Sequence, residues 1–176
     1  MPAALLVIDV QKAFDDTDFW GRRNNPKCEA NVAALLAAWE GPRVYVRHDS
    51  DEPGSPLAPG HPGNAFKDVI TGEPDLLVSK RTNSAFYGEP DLHEWLLARG
   101  IDGLVICGIT TNHCVETTMC MAEDVGNDVA VDATHTFDRR APDGTLVTAD
   151  ELARATATSI HEEFATVVAT RDLTDE

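Results

Sequence analysis

Three reactive residues stand at matching places in the chain. Asp9 closes the apolar run AALLVID, Lys80 closes LLVSK, and Cys114 follows the run LVICG through the short segment ITTNH. Each run has the length and composition of a buried strand. In a parallel sheet the carboxyl ends of the strands share one rim, and ligands bind in the crevice along it. Asp9, Lys80 and Cys114 can therefore meet although they are far apart in sequence. Together they form a nucleophilic set. A Cys114 thiolate attacks a carbonyl carbon, and Asp9 takes the thiol proton and returns it to a leaving amine. Lys80 holds the carboxylate in place and favours the thiolate. Backbone N–H groups of the Ile109–Cys114 turn can cradle the developing oxyanion, an effect worth about 10²–10³ in rate. Cys114 opens a predicted helix, whose N-terminal charge lowers a thiol pKa, so the pattern predicts a thiolate well below pH 8.

Each residue also has an ordinary structural use. A strand-end acid can cap the next loop, a strand-end lysine can sit in solvent, and a helix-opening cysteine can simply pack. Their joint placement on one rim favours chemistry. Other loop residues are candidates for the pocket. Phe14, Trp20, Phe86 and Tyr87 can form apolar walls, and His113 and His135 fall on the same predicted rim.

The elements that must position these residues alternate. Strands are predicted at 3–10, 44–47, 76–80, 104–107, 128–133 and 165–169. Helices are predicted from Pro26 to Gly41, over 90–99, from Asn112 to Val125 with Gly126 as its stop, and from the capping box Thr148-x-x-Glu151 to His161. Strands alternating with helices imply an α/β fold with a mainly parallel sheet covered on both faces. The stretch from His48 to Asp75 holds five prolines and four glycines and reads as a long loop with the character of a lid. No repeat, linker or low-complexity tract divides the chain, so residues 1–176 read as one domain.

Composition narrows the function. The 176 residues carry 30 acids against 14 Lys and Arg, a net charge of −16, which disfavours a nucleic-acid partner. No apolar stretch reaches membrane-spanning length. The N-terminus has no basic signal region, so a cytoplasmic protein is expected. The four cysteines, Cys28, Cys107, Cys114 and Cys120, contain no C-x-x-C pair and offer neither a zinc site nor a disulfide framework.

Four segments in order, LLVIDVQKAF, SKRTNSAFYG, VICGITTNHCVETT and VDATHTFD, resemble the isochorismatase-like cysteine hydrolase superfamily, which includes nicotinamidases and N-carbamoylsarcosine amidases. The resemblance spans most of the chain. It implies a Rossmann-like, three-layer α/β/α fold with a six-stranded sheet, and a homodimer or larger homo-oligomer. It also implies an Asp9–Lys80–Cys114 triad working through a thioester, a cis Ile109–Thr110 peptide, and oxyanion donors at the Thr110 and Cys114 amides. Nicotinamidase-like members bind a metal through an Asp-x-His pair and a further histidine. The corresponding segment here reads RHDSDEPGSP, where Asp51 stands in place of that histidine, so no metal and no other cofactor is expected; His48 and His61 read as solvated loop residues. The expected substrate is a small molecule with an amide, carbamoyl or lactam C–N bond. A redox sensor, or a small-molecule-binding protein without turnover, is the alternative on the same scaffold.

Overall fold

The computed structural model describes residues 3–122 and 126–174. Six strands form one parallel sheet: β1 (Ala3–Ile8), β2 (Arg43–His48), β3 (Leu76–Lys80), β4 (Gly103–Ile109), β5 (Gly126–His135) and β6 (Thr166–Val168), in the order β3-β2-β1-β4-β5-β6. The four main helices are α1 (Cys28–Ala38), α2 (Leu92–Ala98), α3 (Glu116–Met121) and α4 (Ala149–Ile160).

β1 shows why its sequence is apolar throughout. Ala4, Leu6 and Ile8 pack into one core with Leu92 and Leu96 of α2, Met119 of α3 and Ile160 of α4. Leu5 and Val7 pack into the other with Val32, Leu35 and Leu36 of α1. A strand between two helical layers buries both faces, so period-2 alternation disappears. This is the three-layer α/β/α arrangement. Each fully buried Leu or Val contributes about 1.5–3 kcal/mol, and the central strands are made almost wholly of such residues.

α4 starts as the sequence indicates. Thr148 accepts the Glu151 N–H, and the Glu151 carboxylate accepts the Thr148 N–H, which completes the capping box. The segment carrying Cys114 differs from its expected form. Thr111–Val115 is a π-helical turn, which continues into the α-helix as far as Met121. The expected helix end at Val125 lies outside the described residues, and Gly126 opens β5 instead of stopping a helix. β5 is also longer than expected, because a register shift opposite Ile106 and Gly108 lets it follow β4 to the sheet rim.

The 48–75 loop is tied down at several points. The Lys67 N–H donates to Val10 O and the Lys12 N–H to Ala65 O, both at 2.9 Å. Gln11 and Asn64, both buried, donate to its carbonyls. No helix among the described residues is long and apolar enough to cross a membrane.

Candidate active site

The strand order carries the site. Lys80 ends β3, His48 ends β2, Asp9 follows β1, and β4 leads through Gly108 into the Cys114 turn. Four adjacent strands therefore each deliver one polar group to the same rim. His48 and Lys80 are direct partners in the β2–β3 register. Asp9 has φ of 51°, in the left-handed region that Asp tolerates better than most residues, and the chain leaves the sheet there.

The carboxylate, ammonium and thiol meet. Lys80 Nζ donates to Asp9 Oδ2 at 2.7 Å, to the Thr82 carbonyl at 3.1 Å and to Cys114 Sγ at 3.4 Å, and lies 3.2 Å from His48 Nδ1. Asp9 is 0% exposed and Lys80 1%. The second carboxylate oxygen, Asp9 Oδ1, is buried and has no hydrogen-bond partner. A buried carboxylate oxygen without a donor is costly, and here it belongs to the residue beside the thiol.

The electrostatics oppose a resting thiolate. Burial, reinforced by the Asp9 charge, raises the Cys114 pKa well above the usual thiol value, and Lys80 offsets this only in part. Cys114 rests as a thiol, contrary to the expectation of an ion well below pH 8, because desolvation at 8% exposure outweighs the cation. Burial also opposes the charge on Lys80, but the Asp9 carboxylate, by charge and hydrogen bond, overcomes it and raises its pKa, so the ammonium persists. Burial and then Lys80 lower the His48 pKa.

Cys114 opens on a cavity of about 170 Å³. Phe14, Trp20 and Leu57 form its apolar wall, and His48, Asn83, His113 and Arg139 supply polar groups. Trp20 is fixed by its Nε1–H on Ala13 O at 2.9 Å and by Phe14 at a ring separation of 4.9 Å. Burial and then Arg139 lower the His113 pKa, which keeps its ring neutral. Thr110 also lines the cavity. Its carbonyl accepts the His113 and Val115 N–H groups at 3.2 and 3.3 Å, and among the described residues neither the Thr110 nor the Cys114 N–H donates to a group outside the turn. The Ile109–Thr110 peptide is cis.

Three expected pocket residues lie elsewhere. Phe86 packs beneath α2 in the core on that face, and Tyr87 is 69% exposed beside Arg81 and Glu89. The short turn after Ser84 carries both away from the rim. His135 is fully buried behind the cavity, edge-on to Phe137, and both its ring nitrogens lack partners. Burial, with the charges of Arg23 and Lys67, lowers its pKa to about 3.

Sequence reading missed His48 and Arg139. His48 ends β2 as Lys80 ends β3, so the rim argument applied to β2 would have found it. Arg139 lies in a hairpin of two-residue strands (Arg139–Arg140 with Leu146–Val147), too short to leave a periodic signal.

The residues present do not fit the metal of nicotinamidase-like relatives. Asp49 pairs with Arg47 at 3.2 Å and accepts from Asn64 at 3.0 Å, Asp51 pairs with Arg81, and His61 Nδ1 accepts the Gly63 N–H. Asp9, His48 and Cys114 do bring donor atoms within 4.8 Å of one another, but those atoms surround the Lys80 ammonium, which already supplies the positive charge.

The Isochorismatase domain matches residues 3–172. The chain belongs to the isochorismatase family. It is 37% identical to the isochorismatase family protein YrdC of Bacillus subtilis, over 98% of this chain and 95% of that one. It is 42% identical over 82 residues to the ureidoacrylate amidohydrolase RutB of Methylobacterium radiotolerans, covering 45% of this chain and 31% of that protein. An isochorismatase-family crystal structure from Chromobacterium violaceum superimposes with a TM-score of 0.90 at 37% identity, over 98% of this chain and 91% of that one. The six-stranded parallel sheet between helical layers is thus the fold of this isochorismatase family.

Proposed function

We propose that the protein is a cysteine hydrolase that cleaves a non-peptide C–N bond of a small molecule. The observation that carries this reading is the asymmetry of Asp9. Oδ2 is occupied by Lys80 while Oδ1, buried and unpartnered, is available to the neighbouring Cys114 thiol.

Asp9 takes the Sγ proton as sulfur attacks the carbonyl carbon. The oxyanion is received by the Thr110 and Cys114 amides. On collapse the C–N bond breaks, the amine nitrogen takes the proton from Asp9, and a Cys114 thioester remains. Asp9 then removes a proton from water, hydroxide adds to the thioester, and the thiol leaves reprotonated. Throughout, Lys80 holds Asp9 by charge and hydrogen bond, so the carboxylate keeps its position as its own charge changes. A thiol activated at the moment of attack suits the raised Cys114 pKa. A redox sensor needs an exposed thiolate, which this site lacks.

The cavity is smaller than the usual range of roughly 300–1,000 Å³ for ligand pockets, which favours a compact substrate over a polypeptide. Arg139, an exposed residue on its wall, makes no ion pair among the described residues, as is also true of Arg43, Arg99, Arg140 and Arg154. What sets Arg139 apart is its place on the cavity wall, and a cation there in a chain of net charge −16 supports a substrate bearing an acidic group. The amidohydrolase relative supports amide or carbamoyl chemistry.

The test is a panel of acidic and neutral small amides, ureas and lactams, assayed for ammonia or amine release. Turnover should be abolished in Cys114→Ser, and intact-mass spectrometry should trap an acyl adduct on Cys114. Turnover undiminished in Cys114→Ser would sink the mechanism.

A further inference from the structure

The mechanism above uses the groups at the ends of β3, β1 and β4 and leaves out the one between β3 and β1. We propose that His48 is a substrate-orienting residue, a neutral hydrogen-bond donor whose Nε2–H meets a carbonyl oxygen of the bound substrate. This inference rests on the hydrolase reading and adds to it.

Position comes first. His48 lines the cavity together with Cys114. Its main chain is held from two loops by buried side chains. The His48 N–H donates to Gln11 Oε1 at 2.9 Å, and its carbonyl accepts from Gln11 Nε2 at 3.0 Å and Asn64 Nδ2 at 3.1 Å. Gln11 is 0% exposed and Asn64 8%. Two buried amide side chains on the backbone N–H and C=O of one residue fix where the imidazole begins.

Chemistry then sets the tautomer. An ammonium donates and never accepts, so a ring nitrogen 3.2 Å from Lys80 Nζ faces it with its lone pair. Nδ1 is therefore unprotonated, and the ring proton sits on Nε2. Among the described residues Nε2 has no hydrogen-bond partner of good geometry, and it is absent from the buried polar atoms without partners. It is therefore open to the space that His48 lines. The charged and titratable groups facing the ring are Lys80, Asp9, Asp49 and Cys114, and the Thr82 carbonyl, which also accepts from Lys80 Nζ, favours a protonated ring. Burial and Lys80 both oppose a second proton, which agrees with the neutral form. A ring with Nδ1 engaged and Nε2 protonated cannot act as a base at working pH. It can only donate, and an amide, urea or lactam carbonyl is the acceptor that a hydrolase cavity brings to it.

Two measurements on the 176-residue chain test this. In ¹⁵N-histidine NMR, with the signal assigned by its loss in His48→Gln, His48 should show the Nε2–H tautomer and stay neutral as the pH falls through the usual histidine value. A Nδ1–H ring, or titration near the usual histidine pKa of about 6.5, overturns the proposal without touching the triad. The second measurement compares Cys114 alkylation by iodoacetamide, which carries a carbonyl, with alkylation by iodomethane, which does not. His48→Leu should slow iodoacetamide roughly five- to tenfold, the effect of one lost hydrogen bond, and leave iodomethane within about twofold. His48→Gln, which restores an N–H donor, should recover most of the loss. Equal slowing of both reagents, or of neither, overturns the donor role. Failure of the hydrolase reading would appear separately, as turnover that persists in Cys114→Ser.

Discussion

Asp9 and Lys80 form an ion pair at 2.7 Å with no side-chain exposure on either partner, and the pair bridges two strands that are not neighbours, β1 and β3. A buried ion pair adds little net stability, because desolvating two charges cancels most of their attraction. Its persistence here is better explained by position. The pair leaves Asp9 Oδ1 free and brings a cation to the thiol.

Breaking that pair should cost more than removing it. Asp9→Asn leaves the Lys80 ammonium buried without its counter-ion, an expected loss of about 3–5 kcal/mol in urea unfolding. Asp9→Asn combined with Lys80→Met should recover most of that stability while leaving hydrolysis absent. Additive losses in the double variant would show that the two residues do not act as a pair.

Alkaline stability should report the buried thiols. Burial raises the pKa of Cys28 from 9.0 to about 12, and burial raises Cys107 and Cys114 further. The folded chain therefore keeps protons that the unfolded chain releases above pH 9. This stability is complete below the unfolded value and falls as pH rises through the folded values, by about 1.4 kcal/mol per pH unit for each thiol. Chemical unfolding between pH 9 and pH 11 should show the slope, and Cys28→Ala should remove one thiol's share. Iodoacetamide labelling of Cys114 should likewise keep rising with pH beyond 8. A plateau below pH 8 would mean that a resting thiolate exists after all.

Acid stability should depend on Glu29. Burial opposes its charge, but hydrogen bonds from Arg23 and Lys67 prevail and hold its pKa far below the ordinary 4.5. Lys67 Nζ reaches Glu29 at 2.6 Å and Asp15 at 2.7 Å, which ties the 48–75 loop to α1 and to the loop after β1. A depressed carboxyl contributes stability above its unfolded pKa and loses it as pH falls toward the folded one. Glu29→Gln should therefore lower stability at pH 7 and flatten its decline below about pH 4.5. An unchanged acid limb would remove this network as the cause.

The sequence made the sheet legible and left parts of the pocket obscure, for identifiable reasons. β3 was expected at Leu76–Lys80 and is found there, because it is a short apolar run ending in a charge. Asp9, Lys80 and Cys114 were legible because each follows such a run. Phe86 and Tyr87 were misjudged because a tight turn, whose direction no composition encodes, points them away from the rim. His48 was hidden by its neighbours, since the proline- and glycine-rich segment after it reads as loop and the rim residue was counted with that loop. Arg139 depends on a hairpin with two residues per strand, below the length at which alternation can be seen.

Gly108 offers the most direct test of how the strands bring the thiol to the carboxylate. Its φ is +127°, and a Cβ built there would lie 2.0 Å from Ile8 O and 2.7 Å from Ile8 N. Both atoms are backbone, so no rotamer change relieves the clash. β4 would have to separate from β1 at the point where β1 leads into Asp9 and β4 into Cys114. Gly108→Ala should therefore cost about 2–5 kcal/mol, from the positive φ and the overpacking together. In the protein that still folds, Cys114 alkylation should become insensitive to Asp9→Asn, because the carboxylate no longer reaches the thiol. Gly103→Ala is the control in the same strand. Its Cβ would meet Ala3 Cβ at 3.3 Å, a contact that a small adjustment relieves. It should change stability by about 1 kcal/mol or less and leave the Asp9 dependence intact. Equal tolerance of the two substitutions would show that the close approach of Ile8 and Gly108 does not set the geometry of the site.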